Sequence, residues 1–163
     1  MAGEKHHAVG IVLLGLGLIA GALSCAPTYD AAKLEGDWSC ETHWTWDNNG
    51  EPVPCSFEMN ATCKDTKLSS TGVVSLGDAQ WDQTTEGVCL ASGDELHGTR
   101  TAVQTVAKND AARQFETGRL GGKTLSSTGG GLPQEFRSRI TSFSGDELVT
   151  VNQEGRTTTC TRR

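Results

Sequence analysis

The segment Leu34–Trp46, LEGDWSCETHWTW, alternates between two kinds of residue. Glu35, Asp37 and the other odd-numbered positions after Leu34 are mostly charged or polar, whereas the even-numbered positions hold Leu34, Gly36, Trp38, Cys40, Thr42, Trp44 and Trp46. A period of two predicts a β-strand with one buried face, because successive side chains of a strand point to opposite faces. We therefore expect this strand to open the folded domain, with its tryptophans turned towards the interior.

The next segment, Asp47–Pro54 (DNNGEPVP), predicts a break between strands, because it combines turn residues with two prolines that cannot donate ladder hydrogen bonds. A second strand is expected over Cys55–Cys63. If the two strands form a hairpin about Asn49–Gly50 with a loop that runs from Asp47 to Cys55, Cys40 and Cys63 come nearly opposite each other on the inward side. The spacing therefore predicts a disulfide bond between Cys40 and Cys63.

The remaining chain continues as short strand-like runs between turns. The expected strands are Gly72–Leu76, Trp81–Leu90, Leu96–Ala107, Gln114–Leu120, Phe136–Phe143, Leu148–Asn152 and Arg156–Arg162. Strands of this length at regular spacing predict an all-β fold, a single antiparallel meander or β-barrel of about eight strands. The best helical candidate, Lys108–Glu116, overlaps one of these expected strands.

Two phrases occur twice and in the same order. SGDE is expected to form a turn at both Ser92–Glu95 and Ser144–Glu147, because Gly-Asp between two strands is a strong turn signal. LSSTG occurs at Leu68–Gly72 and again at Leu125–Gly129. The second copy lies in the glycine-rich stretch 118–133, which predicts a long loop that either caps one end of the barrel or reaches out to a partner.

Upstream of the domain lies the one long apolar run, Ala8–Cys25 (AVGIVLLGLGLIAGALSC). An apolar middle followed by a small-residue cleavage site predicts a secretory signal. About 16 apolar residues span roughly 24 Å, less than the ~30 Å hydrocarbon core of a membrane. The predicted division is a cleaved signal peptide at 1–24, a tether at 25–33 and the barrel domain at 34–163. A plain secreted protein and an uncleaved anchor are the alternatives.

The end of that run, Ala22-Leu23-Ser24-Cys25, resembles the lipobox of bacterial lipoproteins. The resemblance implies that the chain is cut before Cys25, that its thiol is acylated and that the new amine usually is too, with palmitate among the attached chains. It also implies a membrane partner, reached through a firm lipid anchor, and a place in the bacterial cell envelope, at the outer membrane if the cell is Gram-negative.

Five further cysteines follow Cys25, and disulfides persist in an exported chain. If Cys25 carries lipid, we expect two disulfides and one free thiol, the candidates for bridging being Cys40, Cys63, Cys89 and Cys160. If Cys25 is not acylated, three disulfides are possible. The cysteines do not form the close pairs of structural zinc sites, so neither a metal nor a cofactor is expected.

Composition and motifs argue against two functional classes. The formal net charge of −6 argues against a nucleic-acid partner, since phosphate binding needs a basic patch. The chain has no GxSxG, HExxH or phosphate-loop motif. Past the leader its histidines are His43 and His97, both expected on the surface. We therefore expect no catalytic residues and no enzymatic activity.

The frame LxGxW at Leu34–Trp38, together with GDELV at Gly145–Val149 and TCTR at Thr159–Arg162, resembles lipocalin-like small barrels. In that superfamily a GxW on the first strand packs against a basic residue from the last strands and plugs the closed end. The resemblance implies that Gly36 and Trp38 meet Arg162.

Three tryptophans on one face of one strand suggest either core packing or a pocket. In the second case Trp44 and Trp46, near the open end, line a site for an apolar or sugar-like small ligand. The expected function is a non-enzymatic binding module anchored in the envelope. The alternative is an interaction protein acting on an envelope protein through the loop 118–133, similar in outline to small envelope inhibitors of cell-wall hydrolases.

Overall fold

Antiparallel strands wind in chain order into a closed barrel in the computed structural model, which describes residues 29–128 and 131–163. Its eight described strands are β1 (Gly36–Asn48), β2 (Glu51–Lys64), β3 (Lys67–Leu76), β4 (Ala79–Ser92), β5 (Glu95–Ala107), β6 (Gln134–Phe143), β7 (Glu147–Asn152) and β8 (Thr157–Arg162). The helices described are α1 (Ala31–Leu34), α2 (Asp110–Arg119) and α3 (Leu125–Thr128). The predicted all-β barrel of about eight strands is confirmed.

The alternation in β1 is confirmed as well. Trp38 is only 4% exposed, and Trp44 and Trp46 are half-buried on the same inward side, between exposed neighbours. The hairpin turn falls at Asn49–Gly50, where both residues have positive φ, as a two-residue turn between twisted strands requires.

The tight turn changes the predicted register of this hairpin. It sets Cys40 opposite Met59 in β2, so the predicted Cys40–Cys63 disulfide is wrong. Cys40 instead bonds to Cys160, its direct neighbour on β8, and this bridge fastens the first strand to the last. Cys63 bonds to Cys89 and so joins β2 to β4.

All four predicted bridging cysteines are therefore paired, in two disulfides within the described residues. Cys55 is buried and has no disulfide partner there. The expected count of two bridges and one free thiol is met in this part of the chain, whereas Cys25 lies outside the described residues, as does the whole predicted signal peptide.

Pro52 and Pro54 lie inside β2, not in a turn as predicted. Both pair with β1, whereas β3 joins this strand only from Cys55 onwards. The sheet therefore loses no ladder hydrogen bond where these two prolines lack an N–H group, which is how a proline is accommodated in a sheet.

The expected strand Gln114–Leu120 is wrong, because this segment belongs to α2. Asn109 caps the helix, its side-chain oxygen accepting a hydrogen bond from the backbone N–H of Ala112 at 3.0 Å. Ala112 is fully buried, and Phe115 lies one turn further on the same side. Capping and this buried face outweigh the strand-like pattern, and the helical candidate Lys108–Glu116 overlaps most of α2.

Two apolar clusters occupy the two ends of the barrel. The first, called the base, holds Leu34, Trp38, Cys40, Ile140, Leu148 and Cys160, with Tyr29 and Phe143 packed against it. The second, called the mouth, holds Ala79, Trp81 and Ala112, with Phe115 and Leu125 packed against it. The part of the predicted tether that the structure describes, residues 29–33, belongs to the base: the Tyr29 N–H donates to the Gly93 carbonyl at 3.0 Å.

Candidate functional site

The base is closed by the contact that the resemblance implied. The Arg162 guanidinium lies 4.4 Å from the ring centre of Trp38. It donates hydrogen bonds to the backbone carbonyls of Gly145 and Glu35, both at 2.9 Å, and of Lys33. A Cβ on Gly36 would lie 2.6 Å from Nη1 of Arg162, so glycine makes room for the arginine. This end has the contacts of a structural plug.

The mouth is covered by α2. Phe115 lies edge-on to both Trp46 and Trp81, with ring centres 6.3 and 5.6 Å apart. The indole N–H of Trp81 donates to the Glu116 carboxylate at 3.0 Å. Trp46, predicted to line a ligand pocket, is thus in contact with a helix of its own chain.

The stretch 118–133 caps the mouth through α3. The Leu125 N–H donates to Glu116 Oε1 at 3.3 Å, and the Ser126 N–H donates to the Thr105 hydroxyl at 2.9 Å. Leu125 also packs in the mouth cluster. Of the two roles predicted for this stretch, its described residues 118–128 have the contacts of a cap.

Trp44, the other predicted ligand-lining residue, faces a cation and a thiol. The Arg156 guanidinium lies 4.7 Å from its ring centre, and Arg156 also pairs with Glu154 at 2.9 Å. Cys55 is the residue paired with Trp44 across β1 and β2. Burial raises the pKa of the Cys55 thiol, and the hydrogen bond with the Trp46 backbone and the charge of Arg156 offset only part of that rise. Cys55 is therefore a neutral thiol at neutral pH.

Between base and mouth the inward-facing side chains include a set of small hydroxyls. We call this set the hydroxyl belt; it consists of Thr42, Ser70, Thr85, Thr105 and Thr150, one each from β1, β3, β4, β5 and β7, all buried. Thr42 shares a hydrogen bond of 2.7 Å with Thr158, Thr85 accepts one from Gln83, and Thr105 accepts the one from Ser126.

The hydroxyls of Ser70 and Thr150 differ from the others. Within the described residues neither has a hydrogen-bond partner, although both side chains are buried. Neither oxygen is sealed from solvent, since the one fully enclosed unpaired side-chain polar atom in this part of the chain is Nδ1 of His97. The two hydroxyls therefore stay accessible to water although their residues are buried.

A β-bulge between β4 and β5 brings an arginine to the same interior. Gly87 pairs with Arg100 and Glu86 with Ala102, so Thr101 is the extra residue. One extra residue reverses the alternation, so Arg100 and Thr105 both face inward although one number is even and the other odd. The pattern of β5 alone would place them on opposite faces.

Arg100 lies in the wall where β6 begins. Its Nη1 donates to Gln134 Oε1 at 3.2 Å, and its guanidinium carbon lies 5.5 Å from the ring centre of Phe136. Burial lowers the pKa of Arg100, with no contribution from an acidic group. Within the described residues no carboxylate forms an ion pair with it.

The two histidines do not join this interior. His43 is exposed and lies 3.7 Å from Glu41 on the outer wall, whereas His97 is half-buried beside Leu90 and Arg137. In the described part of the chain no group of three or more histidine, cysteine or acidic side chains is placed to hold a metal ion. No helix over residues 29–128 and 131–163 is long and apolar enough to cross a membrane.

Fold and interior together define a closed antiparallel barrel with a plugged base, a helix-covered mouth and a polar middle. No protein-family model matches the chain, and no curated protein matches it significantly. The sequence located Trp44, Trp46 and Thr42 on the inward face, but it gave no sign of Arg100, whose orientation depends on the bulge.

Proposed function

We propose that this protein is a non-enzymatic, lipid-anchored binding module of the bacterial cell envelope, which holds a small ligand inside its barrel. The observation that carries the proposal is the hydroxyl belt. An eight-stranded barrel is just wide enough either to be filled by its own side chains or to hold one small ligand. A barrel selected for stability alone favours branched apolar residues in its middle.

The belt offers hydrogen-bonding groups that the protein itself does not use. The hydroxyls of Ser70 and Thr150 have no hydrogen-bond partner within the described residues, and both remain accessible to water. A polar ligand or bound water would satisfy them. The aromatic residues near the mouth, Trp44 and Trp46, would meet the apolar part of a ligand, as predicted from the sequence.

The alternative function, partner capture through the stretch 118–133, draws less support. Glu116 and Thr105 accept hydrogen bonds from the backbone of α3, so the described part of this stretch is occupied in covering the mouth. A ligand would enter past this cap, and α3 would act as its cover.

The proposed location draws on the disulfides and on the direction of the chain. Two disulfides are typical of exported proteins. Tyr29 is fixed at the base, and four residues span at most about 14 Å, so a lipid on Cys25 would hold the base towards the membrane. The mouth would then face away from it, towards the surrounding compartment.

A pair of neighbouring residues on β3 allows a test of the interior site. Ser70 is buried and faces the lumen, whereas Thr71 is exposed on the outer wall. We expect Ser70→Phe to fill the belt and to weaken binding of the neutral dye N-phenyl-1-naphthylamine at least tenfold. Binding is measured as energy transfer from the tryptophans to the dye.

Thr71→Phe is the matched control, because it adds the same ring to the outer face and should leave dye binding unchanged. Circular dichroism and thermal melting verify the fold of each variant, and Ser70→Leu replaces Ser70→Phe if the larger side chain prevents folding. Equal dye binding by parent, control and filled variant would show that the dye sits outside the barrel, and the proposal would be abandoned.

The anchor is tested separately. Protein recovered from bacterial membranes should begin at Cys25 and carry the added mass of acyl chains. Cys25→Ser should leave the membrane fraction, whereas Cys55→Ser, which removes the buried thiol, should remain there. Retention of Cys25→Ser in the membrane fraction would contradict lipid anchoring.

A further inference from the structure

We propose that the ligand of this barrel is an organic anion, an apolar body carrying one carboxylate or sulfonate, and that its acidic group binds Arg100. The inference rests on the proposed function and adds the chemical class of the ligand. Its basis is the juxtaposition of an arginine lacking an acidic partner with the hydroxyl belt and an aromatic ring.

The hydrogen bonds of Arg100 leave most of its donors unused. A guanidinium has five N–H groups, and the described contacts of this one are the bond to Gln134 and the stacking on Phe136. The planar fork matches a carboxylate or sulfonate, which can accept two parallel hydrogen bonds. Phe136 supports one face of the guanidinium and so holds the fork in place.

Acidic side chains inside the barrel do not compete for this cation. The buried polar residues of the described chain are all hydroxyl-bearing, with no aspartate or glutamate among them. Glu116 at the mouth is occupied, because its carboxylate accepts from the Trp81 indole and the Leu125 N–H. A half-buried cation without a counter-charge is costly, and an anionic ligand would supply that charge.

The wall beside Arg100 offers a route from solvent. β5 continues to Ala107, but its pairing with β6 ends at Arg100 and Gln134, so the upper half of β5 contacts α2 and α3 and not β6. Gln134, which binds Arg100, is itself exposed. The arginine therefore lies where the polar interior meets solvent, and an acidic group can reach it while the ligand body extends into the lumen.

The negative charge of the protein helps a dye-binding test to distinguish a local anion site from general attraction of anions. A formal net charge of −6 repels anions in general, so preference for an anion must come from a local site. Two dyes with one skeleton separate these effects: N-phenyl-1-naphthylamine is neutral, and 8-anilinonaphthalene-1-sulfonate adds a single sulfonate. We expect the protein to bind the sulfonate at least tenfold more tightly than the neutral dye.

Arg100→Met removes the charge and keeps much of the side-chain length. We expect it to weaken binding of the sulfonate by 10- to 100-fold, the range for a charged hydrogen-bonding partner, and to change binding of the neutral dye less than threefold. Arg137→Met is the control, because Arg137 is exposed on the outer wall of the neighbouring strand β6, and its replacement should alter neither affinity. Arg100→Lys should restore part of the loss, since lysine keeps the charge without the fork.

The outcomes separate this inference from the proposed function. If the filled variant Ser70→Phe blocks both dyes but Arg100→Met leaves the sulfonate preference intact, the barrel binds a ligand and the anion site at Arg100 is wrong. If Ser70→Phe affects neither dye, the proposed interior site itself is wrong. If the parent protein binds both dyes equally, the anion preference is refuted.

Discussion

Replacing Arg162 with methionine should lower the free energy of unfolding by about 3 kcal/mol. The guanidinium donates to three backbone carbonyls around the base. Each of the three bonds contributes about 1 kcal/mol, the usual net value for a hydrogen bond in a protein, because two of them are solvent-exposed. The cation over Trp38 adds about 1 kcal/mol, and rehydration of the released carbonyls reduces the total.

The assay is thermal and urea unfolding followed by tryptophan fluorescence. For a domain of this size about 3 kcal/mol corresponds to a melting temperature lowered by roughly 10 °C. Arg163→Met is the matched control: Arg163 is the exposed adjacent arginine, with a backbone bond to Asp37. Its replacement should shift the melting temperature by less than about 2 °C, since exposed substitutions usually change stability by under 0.5 kcal/mol.

Arg162→Lys should recover only part of the stability, because one ammonium group cannot reach all the carbonyls that the planar fork reaches. Equal melting of Arg162→Met and Arg163→Met would refute the reasoning. It would mean that Trp38 and the rest of the base close the barrel without the arginine.

Three further predictions concern stability and reactivity. Replacing Cys40 and Cys160 together with alanine should cost about 5 kcal/mol in urea unfolding, because the bridge spans 120 residues and restricts the unfolded chain strongly. Gly98→Ala should cost at least about 3 kcal/mol, since a Cβ there would lie 1.9 Å from a carbonyl oxygen of β4, whereas Gly118→Ala in α2 meets nothing within 4 Å and should gain up to about 1 kcal/mol. At pH 8, iodoacetamide should alkylate Cys55 at least tenfold more slowly in the folded than in the unfolded protein, because burial raises the pKa of this thiol and the thiolate is the reacting form. The rate in the folded protein should rise with pH. Equal rates of alkylation in the folded and unfolded protein, measured by mass spectrometry, would contradict this.

Much of the barrel was predictable from local pattern. The alternation in Leu34–Trp46 located the buried face of β1, and both SGDE phrases lie at turns, between β4 and β5 and between β6 and β7. The resemblance to lipocalin-like barrels predicted the contact of Gly36 and Trp38 with Arg162. These features depend on neighbours in sequence or on one recognisable pair, so a single chain is enough to indicate them.

The disulfides show where local reasoning fails. Cys40 was matched to the nearest inward-facing cysteine, but a turn of two residues moved the register, and β8 brought Cys160 alongside. Which strand closes a barrel is decided by the whole sheet, since strand number and stagger must fit together. The spacing of cysteines in the sequence does not contain that information.

Only part of the candidate site could be predicted from the sequence. Thr42, Trp44 and Trp46 follow from the pattern of β1, whereas Arg100 faces the lumen only because Thr101 is bulged out opposite β4. A bulge reverses the alternation of a strand, and its position depends on how two strands fit against each other. No property of residues 95–107 taken alone distinguishes Arg100 from an exposed arginine.

The repeated phrase LSSTG shows most directly what the local sequence determines and what only the tertiary structure decides. By itself the sequence determined the strand period, the turns and the cysteine content, all of which act over a few residues. At Leu68–Gly72 the phrase lies in β3, whereas at 125–128 the same letters form α3. Identical residues have identical local preferences, so the difference comes from their surroundings: β2 and β4 supply ladder partners to the first copy, and Glu116 and Thr105 accept the free N–H groups of the second.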